Sequence, residues 1–499
     1  MTGERLPRGL TNPLSLLGAV VAVTSFVVLV TLILTHIYLA PTNPYVGVVT
    51  YLIFPVFLIL GILLIPIGMI WDWRRKKGGR EGTPAFPVID FNLARHRNGL
   101  LSFIVGATLF VTISAIGSYQ AYNFTESVTF CGTLCHGVMH PEYTAYQRSP
   151  HARVSCAECH IGAGADWFVK SKLSGMYQVY ATLTDKYPRP IPTPVKNLRP
   201  SRDTCEECHW PEQFYGNRQK SFTHYLADEA NTEYRQNLLI KVGGGGPLSS
   251  QASGVHWHTF LTHDIEFIAS DERLQVIPWF RAKNLITGEV EVYVDEENPP
   301  SEELLATAKK HKMDCMDCHN RPTHIFRSPK AILNDALREG RIDKGLPMIK
   351  HIGVEALSEE YETTTEALEK IPERIWNFYR DNYPELAETK EEAIKIAVEE
   401  VQARSQESIF PEMKIQWTTY PDNIGHLYFP GCFRCHDGRH VTQHGKTLSR
   451  DCRTCHIILS QELEGEVQQT LDPEGLPFRH PVDIEDAWQE MLCHECHSE

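Results

Sequence analysis

A chain of 499 residues is long enough for roughly two to four folded units, and 22% charged residues make most of it a soluble type of sequence. The net charge of -14 at neutral pH speaks against a nucleic-acid surface, because a polyanion would be repelled. All 14 cysteines fall in pairs followed at once by a histidine.

Between Arg8 and Asp72 there is no Lys, Arg, Asp or Glu, and Pro41-Thr42-Asn43-Pro44 breaks the run. Residues 14–40 and 45–70 each exceed the roughly 20 apolar residues that a bilayer crossing needs, and a third run spans 99–119. The run is too long for a cleaved signal peptide and lacks the small-residue end of one. Arg74, Arg75, Lys76, Lys77, Arg80, Arg95 and Arg97 lie between the second and third runs. That basic loop belongs on the cytoplasmic side, with the N-terminus, so the chain beyond Gln120 lies outside. Residues 1–120 therefore read as a three-helix anchor in a bacterial inner membrane, carrying a periplasmic domain.

The segment 121–225 holds three signatures, Cys131/Cys135/His136, Cys156/Cys159/His160 and Cys205/Cys208/His209. Four more follow: Cys315/Cys318/His319, Cys432/Cys435/His436, Cys452/Cys455/His456 and Cys493/Cys496/His497. All are C-x-x-C-H except the first, which has one extra residue between its cysteines. C-x-x-C-H is the attachment pattern of c-type haem: two thiols form thioethers and the adjacent histidine binds the iron. Zinc sites pair CxxC units without a histidine after each, and disulfides need none, so both readings leave seven histidines unexplained. The expectation is seven covalently attached haem c groups.

Residues 166–180 read as an amphipathic helix near the membrane surface, and Pro188, Pro190, Pro192 and Pro194 force an extended crossing after it. Residues 226–310 lack cysteine and read as a β-rich insertion, with runs at 265–269, 274–280 and 289–294 and a turn at Thr287-Gly288. A strand through Val255-His256-Trp257-His258 would set both histidines on one face. The segment 311–330 carries the fourth signature. Residues 331–410 form an acidic helical spacer, with Thr389 and Glu392 as a capping box and Ile394, Val398 and Val401 at helical spacing. Residues 411–499 carry the last three signatures. The fold class is mainly α and irregular, a multihaem cytochrome c with three N-terminal transmembrane helices and a small β-rich insertion.

A haem that only relays electrons takes two protein ligands. The candidate distal ligands are His151, His256, His258, His324, His426, His440 and His480, with Met139 or His140 at the first centre, where methionine would raise the potential. His36 and His96 belong to the anchor, and His494 is expected to be free.

The pattern resembles the NapC/NirT family of membrane-anchored, quinol-oxidising cytochromes. The resemblance rests on residues 131–139 just outside a transmembrane helix, on Ser149-Pro150-His151, and on residues 156–160 followed by a lysine-bearing helix at 167–175. Cys315-Met316-Asp317-Cys318-His319 with its trailing His324 completes it. It implies that His151 closes the third haem, that His324 closes the second, and that Lys170 or Lys172 binds quinol beside the first. Gln178 stands where some relatives carry an acidic pocket residue, and Tyr177 is beside it. Family members usually have one membrane helix and four haems. The larger architecture resembles the seven-haem inner-membrane quinol dehydrogenases of metal-respiring bacteria (the ImcH type). What this implies is oxidation of menaquinol at the outer face of the membrane. Electrons would pass to periplasmic c-type cytochromes and on toward metal or extracellular acceptors. The alternatives are a relay without a quinol site and a terminal reductase, which needs a haem with an open position.

Overall fold

The computed structural model describes residues 12–39, 49–76, 90–134, 136–162, 165–195, 198–210, 214, 216–243, 254–259 and 262–498. The chain divides into two compact units, Met1–His140 with Ser155–Ala157, and Pro141–Val154 with Glu158–Glu499.

The first unit is built on α1 (Pro13–Leu39), α2 (Phe54–Lys76) and α3 (Ala94–Thr125), each long and apolar enough to cross a membrane. The third extends past the expected 99–119 at both ends, while the Pro41–Pro44 break lies outside the described residues. Glycine lets α1 and α2 meet backbone to backbone. A Cβ on Gly18 would sit 2.7 Å from the Gly61 carbonyl oxygen, and one on Gly61 would sit 2.5 Å from the Ala22 nitrogen. Small residues at such a crossing supply the packing that lipid cannot. Leu29, Ile33 and Leu58 are buried in that interface, whereas Val20, Val23, Val27, Leu60 and Leu63 face outward as lipid-facing side chains do.

In the second unit, α4 (His136–Gln147, from Pro141 onward) and α5 (Ala165–Leu183) precede two antiparallel sheets. One sheet has the order β1 (Arg218–Tyr225), β2 (Glu233–Ile240), β8 (His456–Leu463), β9 (Glu466–Gln469). The other has β6 (His311–Lys312), β3 (His263–Ile268), β4 (Trp279–Asn284), β5 (Val290–Asp295), β7 (His440–Thr442). The β-rich stretch therefore does not close on itself. Its strands are completed by the C-terminal segment, Ile240 opposite His456 and Asp295 opposite His440.

The run expected at 274–280 becomes a strand only from Trp279. Before it, the Asp271 carboxylate accepts from the Gln275 and Val276 amides, and Leu274 is left-handed at φ +58, a turn rather than a strand. The Thr287-Gly288 turn is present, with Gly288 at φ +74 and the Asn284 side chain accepting from the Ile286 and Thr287 amides.

The acidic stretch holds the largest apolar core of the second unit, formed by α6 (Pro329–Arg338), α7 (Ile349–Ser358), α8 (Thr364–Asn382) and α9 (Glu391–Ser408). Leu333, Ile371, Ile375, Tyr379, Ile394 and Val401 are fully buried there. The capping box at Thr389 is not formed. Thr389 ends a short helix, Pro384–Thr389, and its hydroxyl donates back to the Glu385 carbonyl at 2.9 Å, so Lys390 begins α9 without a side-chain cap.

Candidate functional site

The signatures sit on single turns of helix. Cys156–His160, Cys315–Cys318 and Cys493–His497 are α-helical turns, Ser201–Cys205 leads into the third signature, and Gly431–Arg434 and Cys452–Thr454 are 3-10 turns. A turn brings residues i and i+3 to one side, which is what two thioethers to a single porphyrin need. Local caps hold these turns: Asp314 accepts from the Met316 amide at 2.8 Å, Asp317 from the Asp314 amide at 2.7 Å, and Asp451 from the Arg453 amide at 2.9 Å.

The second thiols do not all occupy the uniform helical position that the spacing suggests. Cys159, expected to serve the second haem alone, is half-buried on its turn and close enough to Cys205 of the third signature to disfavour ionisation of that thiol. Cys208 departs further. It is exposed and lies beyond the end of the Ser201–Cys205 helix, in a turn where its amide donates to the Cys205 carbonyl at 3.2 Å. The same i to i+3 bond ties Cys435 to Cys432 at 3.3 Å and Cys455 to Cys452 at 3.2 Å. At these three signatures a tightened turn, rather than a continuing α-helix, sets the spacing between the two thiols.

Six of the signature histidines each face one histidine from elsewhere in the chain. Ring centres are 6.0 Å apart for His209 and His151, 6.2 Å for His160 and His324, and 6.3 Å for His319 and His256. They are 5.8 Å apart for His436 and His258, 6.1 Å for His456 and His426, and 6.2 Å for His497 and His480. An iron holding two imidazoles at metal–nitrogen distances of about 2 Å separates their ring centres by about 6 Å. The spacing fits a six-coordinate haem iron at each pair.

The hydrogen bonds fit as well. Nδ1 of His256, His258, His324, His436 and His480 donates to the carbonyl oxygens of Val242, Val255, Glu142, Ser449 and Val482, at 2.7–3.0 Å. A metal-binding imidazole is held this way, one nitrogen anchored and Nε2 presented. Burial holds His160, His256, His258, His319, His324, His436, His456 and His497 below the ordinary histidine range, and pushes His426 down to about 4. They are therefore neutral, as ligands must be.

His440 departs from expectation. It is buried, with Nδ1 bonded to the Asp437 carboxylate at 2.9 Å and Nε2 to the Ile277 carbonyl at 2.7 Å, so neither nitrogen is left for iron. Its place opposite His436 is taken by His258. The Val255–Thr259 stretch is a 3-10 helix and not a strand. With about three residues per turn, residues two apart diverge, and His256 and His258 accordingly face different signature histidines.

At the first signature, Cys135 and the His136 side chain lie outside the described residues. Met139 is half-buried and His140 exposed on α4. Spacing gave no hint of the residues that hold His324. Arg321 pairs with Glu142 at 3.0 Å, its Nε donates to the His324 carbonyl at 2.6 Å, and His324 Nδ1 lies 3.2 Å from the same carboxylate.

Lys170 and Lys172 lie on α5, their ammonium groups 4.6 Å from the Trp167 ring centre and 4.9 Å from that of Phe168. Gln178 is exposed and its amide donates to Ser174 at 3.4 Å. The same helix exposes Val169, Leu173, Met176, Tyr177, Tyr180 and Leu183, an apolar stripe at helical spacing.

Three apolar helices followed by Cys-His signatures with paired histidines define a membrane-anchored multihaem c-type cytochrome. The chain belongs to the NapC/NirT cytochrome c family: residues 94–190 match the model of that family's N-terminal region. It is 44% identical, over 501 aligned residues, to the cytochrome c-type protein ImcH of Geobacter sulfurreducens, covering 100% of this chain and 97% of that relative. No solved structure matches it. Covalently bound haem c and electron transport linked to a membrane follow from that membership.

Proposed function

We propose that this protein is a seven-haem quinol dehydrogenase of the bacterial inner membrane. It oxidises menaquinol at the outer face and passes electrons to periplasmic cytochromes. The observation that carries the reading is the set of six facing histidine pairs, each joining one signature histidine to one distal partner. When bound, haem supplies one-electron chemistry between ferric and ferrous iron. The protein's part is to close both axial positions, which keeps water and small substrates off the iron. Six closed centres fit relay better than substrate reduction, which needs an open position. Met139 and His140 stay as the candidate ligands at the first centre.

Quinol oxidation also releases two protons. On α5, Lys170 and Lys172 are the candidate cationic partners of the quinol oxygen, favouring its deprotonated form, with Tyr177 and Gln178 as hydrogen-bonding neighbours. The apolar stripe on α5 supports a lipid-facing position, from which a membrane-dissolved quinol is reached. The basic loop before α3 supports the orientation with the signatures outside.

The test mixes oxidised, detergent-solubilised protein anaerobically with a reduced water-soluble menaquinol analogue and follows haem absorbance. Fast reduction that is lost in the Lys170→Ala/Lys172→Ala variant is the expected result. Reduction by dithionite but not by quinol sinks the dehydrogenase reading and leaves a relay fed by a protein partner.

A further inference from the structure

Each of the later signatures touches the next one in the chain. Arg434, inside the fifth signature, donates from Nη2 to the carbonyl of Asp317, inside the fourth, at 2.6 Å. The same two centres share the short turn Val255–Thr259, which sends His256 to His319 and His258 to His436. The His426 ring stacks on Phe433 of the fifth signature, with ring centres 4.4 Å apart, while it faces His456 of the sixth. Arg450, two residues before the sixth signature, donates to the carbonyl of Glu490, three residues before the seventh, at 3.3 Å. The Cys452 and Cys493 side chains interact across that junction.

The earlier signatures are joined in the same manner. The Cys205 and Cys315 side chains are hydrogen-bonded, linking the third to the fourth. The Arg199 guanidinium lies against Gly162, two residues past the second signature, and 3.9 Å from Glu207 inside the third. Cys131 and Cys156 are hydrogen-bonded, linking the first to the second.

We propose that the electron path of the C-terminal region runs unbranched in chain order, from the fourth centre through the fifth and sixth to the seventh, and that the seventh centre is the exit. The proposal rests on the seven-haem reading above. Its physical basis is that tunnelling falls steeply with distance, so direct contact between consecutive attachment turns makes each next centre the favoured receiver. The exposed Cys496 and the half-buried His497 leave the seventh centre at the surface for a soluble acceptor. Arg434 and Phe433 are positioning residues for the steps into and out of the fifth centre.

The deciding experiment is an iron-position map of the full-length holo-protein, by cryo-electron microscopy or anomalous diffraction. From the fourth iron to the seventh, each is expected to have its chain neighbours as nearest neighbours. A seventh iron closer to the fourth or fifth than to the sixth overturns the order. Intact-mass measurement on the same sample counts the attached haems, so failure of the seven-haem reading is recognised separately. A Cys432→Ser/Cys435→Ser variant, lacking the fifth centre, tests the path kinetically. With electrons entering at the membrane end, the sixth and seventh centres are expected to stay oxidised, and their prompt reduction overturns the unbranched path.

Discussion

Lys350 is 3% exposed, and its ammonium donates to two neutral acceptors, the Lys330 carbonyl and the Asn334 side chain, the latter at 2.7 Å. Burial and, next, the charge of Lys330 depress it to about 7, opposed by Asp335. His224 adjoins the same cluster through Asn334 at 3.2 Å. Between about pH 7 and 10 the unfolded chain carries a proton here that the folded chain does not, so stability rises with pH across that window. Below pH 7 both states carry it and the full cost is present. At about 1.4 kcal/mol per pH unit, on the order of 4 kcal/mol of stability is withheld at neutral pH.

Replacing Lys350 by Met removes that cost and leaves two acceptors without a donor, which costs about 1–3 kcal/mol. Lys350→Met is therefore expected to be more stable than wild type at pH 7, by about 2 kcal/mol. The advantage shrinks by about 1.4 kcal/mol per pH unit and reverses near pH 9. Chemical denaturation of both proteins in detergent at closely spaced pH values, followed by circular dichroism, measures the difference. A difference that stays constant from pH 7 to 10 would show that the folded chain holds Lys350 charged and would refute the reasoning.

Arg321→Ala leaves the Glu142 carboxylate buried and unpaired and is expected to cost about 3–5 kcal/mol, with Arg321→Lys intermediate, read by denaturation midpoint. It also frees His324, so the low-spin electron paramagnetic resonance signal of one haem is expected to broaden or shift. An unchanged spectrum and midpoint would remove Arg321 and Glu142 from the support of the second centre. His256→Ala and His258→Ala are each expected to convert one haem from low-spin to high-spin, a different one in each case, whereas His440→Ala leaves the low-spin count unchanged; magnetic circular dichroism distinguishes these outcomes. Gly431→Ala places a methyl 1.8 Å from the Gly425 carbonyl at φ +51, so it is expected to lose the fifth haem or to lower stability by more than about 2 kcal/mol. A variant with full haem content and wild-type stability would contradict that close approach.

Much of the chemistry was legible in the residues alone. Spacing within a single turn is a local property, so the cysteine pairs and their adjacent histidines announce haem attachment without reference to the rest of the fold. Uncharged length is likewise local, and the three apolar helices follow from it, with ends displaced by a few residues. The helical character of 331–410 followed from the apolar positions at helical spacing.

Which histidine faces which was decided by tertiary structure. His440 lies closer in sequence to His436 than any rival, yet Asp437 and the Ile277 carbonyl occupy both its nitrogens, while His258 arrives from a turn far earlier in the chain. Spacing also treats Cys159 and Cys208 as equivalent second thiols, whereas the fold half-buries the first beside Cys205 and leaves the second exposed. The β-rich stretch was visible from its alternation, but not its completion by β7 and β8, because strand pairing satisfies backbone groups without regard to side-chain identity. The Glu142–Arg321 clamp on His324 joins residues 179 apart, and no periodicity reports such a contact. Sequence by itself determined what binds, because thioether and proximal-ligand chemistry needs neighbours in the chain. Only the tertiary structure decided how each centre is closed and in what order the centres touch, because a second axial ligand needs only to be near in space.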